Sequence, residues 1–440
     1  MQRKCAMKSL LIRAEDKNEW ERRVPIVPND VRKIIKETGA RVFVQRSNKR
    51  FFTEGEYRAA GAIMCDDMEP GDVIFGIKEI PEEKIIPNKT YVFFSHTIKG
   101  QPAGMPLLRK IISSGSTLID YERITDNQNR RLVYFGDYAG AAGTIDMLSI
   151  MGEYWHYHGI STVFKSCKRA HEYRSLSEAK AHFREIGSFI ESQGLPNLLC
   201  PLTIGIMGYG NVSKGAQSVL ECLPHKWIKP SELERLAHES GPSRNKVYIA
   251  IFKEKDMVQN IKGHPFRLDE YYEHPEYFSS IFDQYLPYLS IVINAIYWDK
   301  RYPRFITWDS LRQLYQNSVK PKLNGIADIS CDVNGAVECN VKATDSAMPA
   351  YLCDPVARKI VDGHEGDGVV ILAVDNLPCE LPMDSSIFFS SQLTPFVPNI
   401  LNANYSAGLD DSGLWDEIRK AVIVYRGRLT KAYEYLNEFL

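Results

Sequence analysis

The chain has 440 residues, enough for two or three domains at roughly 150 residues each. A hydrophobic share of 44% and a charged share of 25% are globular values, which exclude a disordered, collagenous or coiled-coil protein. Lys and Arg total 54 against 55 Asp and Glu, so the net charge of −1 offers no global field to nucleic acid or an anionic membrane.

Short apolar runs alternate with helical patterns through the first third, which predicts βαβ units and a mostly parallel sheet. Residues 9–12 read as the first strand. Residues 1–14 carry Arg3, Lys4, Lys8 and Arg13 before the first acid, Glu15, in the manner of a short presequence stub, but the apolar run Leu10–Ile12 reads better as a strand. Pro28-Asn29-Asp30 opens a helix to Thr38 that Gly39 closes. Strands are expected at 41–45, 72–77, 91–95 and 117–120, then a long helix over 138–158. The small residues Ala139 to Gly143 at its start predict a close approach by another element. A second alternation starts with a strand at 202–207, followed by a glycine turn and an apolar helix to Leu223. Further strands are expected at 247–252, 290–296 and 325–329, and 369–374 has strand length. The polar stretch 223–246, with Pro224, Pro230, Gly241 and Pro242, reads as an insertion holding one short helix. Two more helices are expected at 386–401 and 413–436.

No stretch reaches the roughly 18 apolar residues of a membrane helix. The nine cysteines are dispersed without a C-x-x-C pair, which argues against a disulfide framework or zinc site and fits a reducing compartment. His156 and His158 are two apart on an expected helix and face different ways, and no metal site is expected.

The turn Gly208-Tyr209-Gly210-Asn211-Val212-Ser213 follows a strand and opens a helix. That placement suits a dinucleotide pyrophosphate, because glycine allows close backbone approach and the helix N-terminus supplies N–H groups and positive dipole. Ser213 stands where a third glycine is usual. The next strand ends Phe252-Lys253-Glu254-Lys255, with no acid at its tip to bind a ribose hydroxyl. Lys253 and Lys255 lie within reach of a 2′-phosphate, which predicts NADPH over NADH.

In open α/β sheets, ligands sit beyond the carboxyl ends of the strands. Arg22 and Arg23 follow the first strand, Lys78 ends the strand at 72–77, and His96 ends the strand at 91–95. Parallel neighbours would bring these onto one rim. A partly desolvated lysine there can exchange protons near neutral pH, a histidine needs little tuning to do so, and an arginine pairs with a substrate carboxylate.

Taken together, Glu21-Arg22-Arg23-Val24-Pro25-Ile26-Val27-Pro28, Gly76-Ile77-Lys78, Phe93-Phe94-Ser95-His96-Thr97, the glycine turn through Gln217 and Asp375-Asn376-Leu377-Pro378 resemble the lysine–ketoglutarate reductase half of animal aminoadipic semialdehyde synthases. More distantly the chain is similar to fungal saccharopine dehydrogenases, alanine dehydrogenases and the transhydrogenase nucleotide-binding subunit. The resemblance implies an α/β protein of two Rossmann-like domains with parallel sheets and an active-site cleft between them. Residues 1–138 and 381–440 would form the catalytic domain and 139–380 the NADP-binding domain. It implies NADPH-dependent condensation of L-lysine with 2-oxoglutarate to saccharopine, in lysine degradation. Lys78 and His96 match the acid–base pair, with His96 assigned to the carbinolamine oxygen and Lys78 to the reacting nitrogen. Arg23 matches the carboxylate-binding arginine, and Glu79 and Glu122 match acids beside the substrate. Gln101, Arg130, Arg131 and Phe135 match positions near the cofactor, as do Asp328 and Asp332 at its nicotinamide end. The family is mitochondrial, and animal members continue into a saccharopine dehydrogenase domain that this chain lacks. It is therefore expected to be a separately encoded reductase or a piece cut at the linker, acting with a fused or associated dehydrogenase domain, and an oligomer is possible. Two other readings stand beside this one: an amino-acid dehydrogenase of the alanine dehydrogenase kind, and a catalytically silent NADPH-binding sensor.

Overall fold

The computed structural model describes residues 8–318 and 321–440; Arg3 and Lys4 of the expected presequence stub lie outside them. The chain forms two compact units, Met1–Phe135 with Pro382–Leu440, and Gly136–Leu381. No helix among the described residues is long and apolar enough to cross a membrane.

The first unit holds six parallel strands, the five expected and an unforeseen β3: β1 (Leu10–Ile12), β2 (Val42–Gln45), β3 (Ile63–Cys65), β4 (Val73–Phe75), β5 (Thr90–Phe93) and β6 (Thr117–Asp120). They lie in the order β6-β5-β4-β1-β2-β3. Leu10, Leu11, Ile12, Val73, Ile74 and Phe75 are all fully buried, as central strands covered on both faces must be. The helix Pro28–Thr38 starts with Pro28 in its first turn, where a missing N–H costs nothing. It stops at Gly39, whose φ of 70° lets its N–H reach the carbonyl of Ile35 at 2.8 Å.

The second unit repeats the plan. Its strands are β7 (Thr203–Met207), β8 (His225–Ile228), β9 (Val247–Phe252), β10 (Val258–Asn260), β11 (Phe278–Ser280), β12 (Ile291–Asn294), β13 (Gly325–Asp328), β14 (Ala350–Asp354), β15 (Lys359–Asp362) and β16 (Val369–Leu372). The main sheet runs β15-β14-β16-β13-β12-β7-β9-β8, parallel from β16 to β8, while β10 and β11 pair separately. Two expectations change here. The stretch 223–246 is more than an insertion, because His225–Ile228 pairs in parallel with β9 as the sheet's edge. The antiparallel hairpin β14–β15 was not foreseen either; its outer strand is exposed throughout, so no apolar pattern announces it.

The small residues at the start of the long helix Gly136–Tyr157 serve helix packing. A Cβ at Gly140 would stand 1.8 Å from the Val212 carbonyl oxygen, and one at Gly215 would stand 1.9 Å from the Asp137 oxygen. These glycines let the long helix lie against the helix Asn211–Leu220 with backbones in contact.

After residue 381 the chain re-enters the first unit with the helix Pro382–Leu393, then a proline-bearing turn and the helix Val397–Asn402, in place of one helix over 386–401. The expected helix at 413–436 is broken into short pieces, the last of them a 3-10 helix at Lys431–Phe439. After a four-residue helix, β17 (Val422–Tyr425) pairs antiparallel with β6, and β18 (Arg428–Leu429) turns back on it. The run Val422-Ile423-Val424-Tyr425 is β-branched and aromatic, and the left-handed Gly427 (φ 77°) makes the turn.

Candidate active site

Neighbouring parallel strands end together, with Ile12 beside Phe75, Phe75 beside Val92 and Phe93 beside Asp120. The loops that follow therefore gather on one rim of the first sheet. Arg23 is only 2% exposed there and bonds Glu21 through both Nε (2.8 Å) and Nη2 (2.5 Å). Its guanidinium lies 4.2 Å from the centroid of Phe135, which stacks on Phe389. Glu21 and the aromatic floor thus hold the guanidinium plane in place, the preorganisation a carboxylate site needs.

Lys78 is half-buried, three residues past the end of β4 at Phe75. Its backbone N–H and that of Ile77 donate to the two oxygens of Glu15, at 3.1 and 2.7 Å, and Arg13 pairs with the same carboxylate. Burial raises the Glu15 carboxyl above its ordinary range, with Arg13 partly offsetting it. His96 is exposed and left-handed (φ 51°), and its Nδ1 lies 2.5 Å from Glu79 Oε1. Lys17 approaches the other Glu79 oxygen at 3.3 Å. Burial pushes the Glu79 carboxyl up, but the His96 hydrogen bond and charge outweigh it and bring it to about 2. This folded value lies below the ordinary 4.5, so the stability Glu79 contributes is present above about pH 4.5 and lost as pH falls toward 2. The carboxylate stays charged through neutral pH. Glu79→Gln is expected to lower kcat/KM about tenfold by removing the ionic partner of His96, measured as initial rates. A variant with parent rates would remove Glu79 from the site.

Asp120 at the tip of β6 ties two loops together. It accepts bonds from the Ser95 hydroxyl and backbone N–H (3.0 Å) and from the Glu122 N–H (2.8 Å). Glu122 makes an ion pair with exposed Arg131, and Arg130 pairs with Asp126 at 2.7 Å. Gln101 is exposed at the start of a short 3-10 turn. All these expected residues belong to the first unit. Glu15, Glu21 and Asp120 were not singled out from sequence; their only signal was an acid at a strand's last residue or in the loop that follows a strand.

In the second unit, Gly208 adopts φ 93°, where a side chain would be strained and would meet the Ala295 oxygen at 3.0 Å. A Cβ at Gly210 would meet nothing within 4 Å, so the approach to the helix start is open. Asn211 and Val212 begin that helix, while Ser213 is fully buried and accepts a bond from Gln217 at 2.9 Å. The close-packing role of a third glycine falls to Gly215. A cavity of about 380 Å³ lies over the turn, lined by Gly208, Tyr209, Gly210, Glu254, Tyr272 and Trp298 among others. Glu254 Oε1 accepts bonds from Tyr272 (2.7 Å) and Tyr209 (3.3 Å). Lys253 and Lys255 are exposed, and Lys253 Nζ stands 5.5 Å from the Tyr209 ring centroid. An acid therefore faces this cavity two residues beyond the strand tip, which the sequence expectation had placed out of play.

Asp328, at the tip of β13, is buried and accepts one amide bond on each oxygen, from Asn294 and Asn340, both at 2.8 Å. Burial nevertheless raises its carboxyl to about 6. A raised acid favours its neutral form, so its contribution to stability is lost as pH rises through about 6. Asp332, four residues on, is exposed. Among the described residues no group of three His, Cys, Asp or Glu side chains could hold a metal ion.

A glycine turn that feeds a helix N-terminus inside a parallel sheet is how the α/β dehydrogenases hold a nicotinamide dinucleotide, and this chain is of that class. Residues 11–142 match the Alanine dehydrogenase/PNT, N-terminal domain, and residues 277–432 match the Alanine dehydrogenase/PNT, C-terminal domain, together more than half of the chain. The chain belongs to the alanine dehydrogenase/PNT family. It is 38% identical over 441 residues to an alpha-aminoadipic semialdehyde synthase of Arabidopsis thaliana, covering 97% of this chain and 41% of that protein. The mitochondrial alpha-aminoadipic semialdehyde synthase of Mus musculus is 36% identical, with 98% and 47% covered. The chain thus spans less than half the length of either. A saccharopine dehydrogenase [NAD(+), L-lysine-forming] of Candida glabrata is 26% identical over 90% of this chain and 93% of its own. Among solved structures, an L-alanine dehydrogenase shares the fold with a TM-score of 0.61 at 17% identity, covering 98% of this chain and all of that one.

Proposed function

We propose that this chain catalyses the reductive condensation of L-lysine with 2-oxoglutarate to saccharopine. The observation that carries the reading is the rim of Arg23, Lys78, Glu79 and His96 on adjacent parallel strands, in a chain 36–38% identical to two aminoadipic semialdehyde synthases. In this reaction the ε-amine of lysine attacks the keto carbon and the carbinolamine loses water. The resulting imine is then reduced. A nicotinamide cofactor, when held at the Gly208–Gly210 turn, would supply the hydride. Arg23, locked by Glu21, binds a substrate carboxylate. His96, oriented by Glu79, moves the proton at the carbinolamine oxygen, and Lys78 does so at the reacting nitrogen. Glu79 and Glu122 offer negative charge to a substrate ammonium. Gln101, Arg130, Arg131, Phe135, Asp328 and Asp332 are the further residues this reading assigns to cofactor binding. Saccharopine then passes to a dehydrogenase domain, fused or associated, and a mitochondrial compartment follows the named mammalian relatives.

The cofactor is NADPH in this reading, with Lys253 and Lys255 toward the 2′-phosphate. Glu254 favours a second reading, NADH, because a carboxylate in the cavity accepts bonds from a ribose 2′-hydroxyl and repels a phosphate there. Initial rates of cofactor oxidation separate the possibilities. The expected result is oxidation only when lysine and 2-oxoglutarate are both present, and faster with NADPH. Faster oxidation with NADH keeps the reaction and reverses the cofactor. Turnover without lysine points to an amino-acid dehydrogenase of the alanine dehydrogenase kind, and cofactor binding without turnover points to a silent sensor.

A further inference from the structure

The glycine turn lies past the carboxyl end of β7. At the opposite, amino-terminal edge of the same sheet, the loop before β13 carries Lys322. Its Nζ donates a 2.6 Å hydrogen bond to the carbonyl of Pro201, just before β7. A cavity of about 440 Å³ opens beside the amine, lined by Lys322, Leu286, Pro287, Ser310, Leu314 and Asn317 among others. The place is distinct from every residue assigned above.

We propose that Lys322 is a modification site that takes acyl groups from small acyl thioesters without a transferase. The neutral amine attacks the thioester carbonyl carbon. A C–N bond forms, the C–S bond breaks, and the leaving thiol departs with the proton the nitrogen sheds; nothing is oxidised or reduced. The product fits the same surroundings. The amide nitrogen keeps one N–H for the Pro201 carbonyl, and the acyl chain occupies the cavity against Leu286, Pro287 and Leu314. The product also replaces a half-buried ammonium with a neutral group, which removes a desolvation cost.

The electrostatics supply the nucleophile. Burial pushes the Lys322 ammonium down to about 8, with the nearby Cys200 sulfur only partly opposing it. At pH 8 about half of such an amine is neutral, roughly 100-fold more than an ordinary lysine offers. Cys200 is pushed up by burial and remains a thiol near neutral pH, so the lysine is the better nucleophile of the two.

The test incubates the full chain with acetyl-coenzyme A between pH 7 and 9.5. Acetylation is quantified by peptide mass spectrometry, with exposed Lys359 and Lys431 as internal references. Lys322 is expected to react at least about tenfold faster than either at pH 8, and to level off above that pH. The reference rates should keep rising about tenfold per pH unit. Lys322→Arg should abolish the fast-labelled peptide while leaving turnover unchanged. If Lys322 reacts no faster than the references, or its rate rises tenfold per unit through pH 9, the proposal is overturned.

Discussion

Replacing Lys78 with methionine should lower kcat by about 10²–10⁴-fold while the protein still folds and binds its dinucleotide, the range that removal of a positioned proton-transfer group produces. Methionine keeps the length and much of the volume of the lysine stem, and Lys78 is only half-buried, so packing is little disturbed. The main-chain bonds from Ile77 and Lys78 to Glu15 do not depend on the side chain, so the loop stays where it is. The dinucleotide turn at Gly208–Gly210 belongs to the other unit, so cofactor titration by fluorescence should match the parent. Retention of parent turnover would show that Lys78 moves no proton in the slow step. Loss of dinucleotide binding along with turnover would show instead that the substitution disturbs the structure. The pH profile adds a check: Glu79 sits at about 2, so it is not the group responsible for any inflection near neutrality.

Gly215→Ala should destabilise the second unit by at least about 3 kcal/mol, beyond the usual cost of one added methyl in a core. The new Cβ would stand 1.9 Å from the Asp137 carbonyl oxygen and 3.0 Å from the Ala141 backbone nitrogen. These are main-chain atoms of the helix Gly136–Tyr157, so no rotamer change relieves the overlap. Either the helices part, or the long helix moves together with Ile145, Leu148 and Met151, which are fully packed in the core beneath it. A lower Tm with weakened dinucleotide binding is the expected pair of results, because Gly215 sits on the helix Asn211–Leu220, whose start follows the glycine turn at the cavity. An unchanged Tm would mean the helices approach less closely than 1.9 Å implies. Ala216→Gly, one position along the same helix, removes a buried methyl without adding bulk and serves as the control.

The two predictions rest on features that were unequally legible. Period and composition were enough for the central parallel strands, though not for β3 or β8, because Leu10-Leu11-Ile12 or Val73-Ile74-Phe75 have few alternatives to a doubly covered sheet position. The glycine turn between strand and helix was legible for the same local reason, and Lys78 and His96 could be placed because a strand's end is visible in its own residues. The segments 223–246 and 413–436 were misread because short strands at or next to the edge of a sheet are set by their partners. His225–Ile228 is half polar and becomes a strand only beside β9, and Val422–Tyr425 only beside β6.

Side-chain partnerships across long sequence separations had no local signal at all. Glu15 capping the loop at Ile77 and Lys78, Asp120 tying Ser95 to Glu122, and Glu254 held by Tyr209 and Tyr272 each join residues that the chain keeps apart. The sequence by itself therefore determined the strand-and-helix alternation, the dinucleotide turn and the order of candidate acid–base groups, all of which follow from short-range periodicity and backbone freedom. Only the tertiary structure decided which charges meet, which acid faces the cavity and which glycines carry the helix contact. Those depend on strand order and on distances of a few ångströms, and no local pattern encodes either.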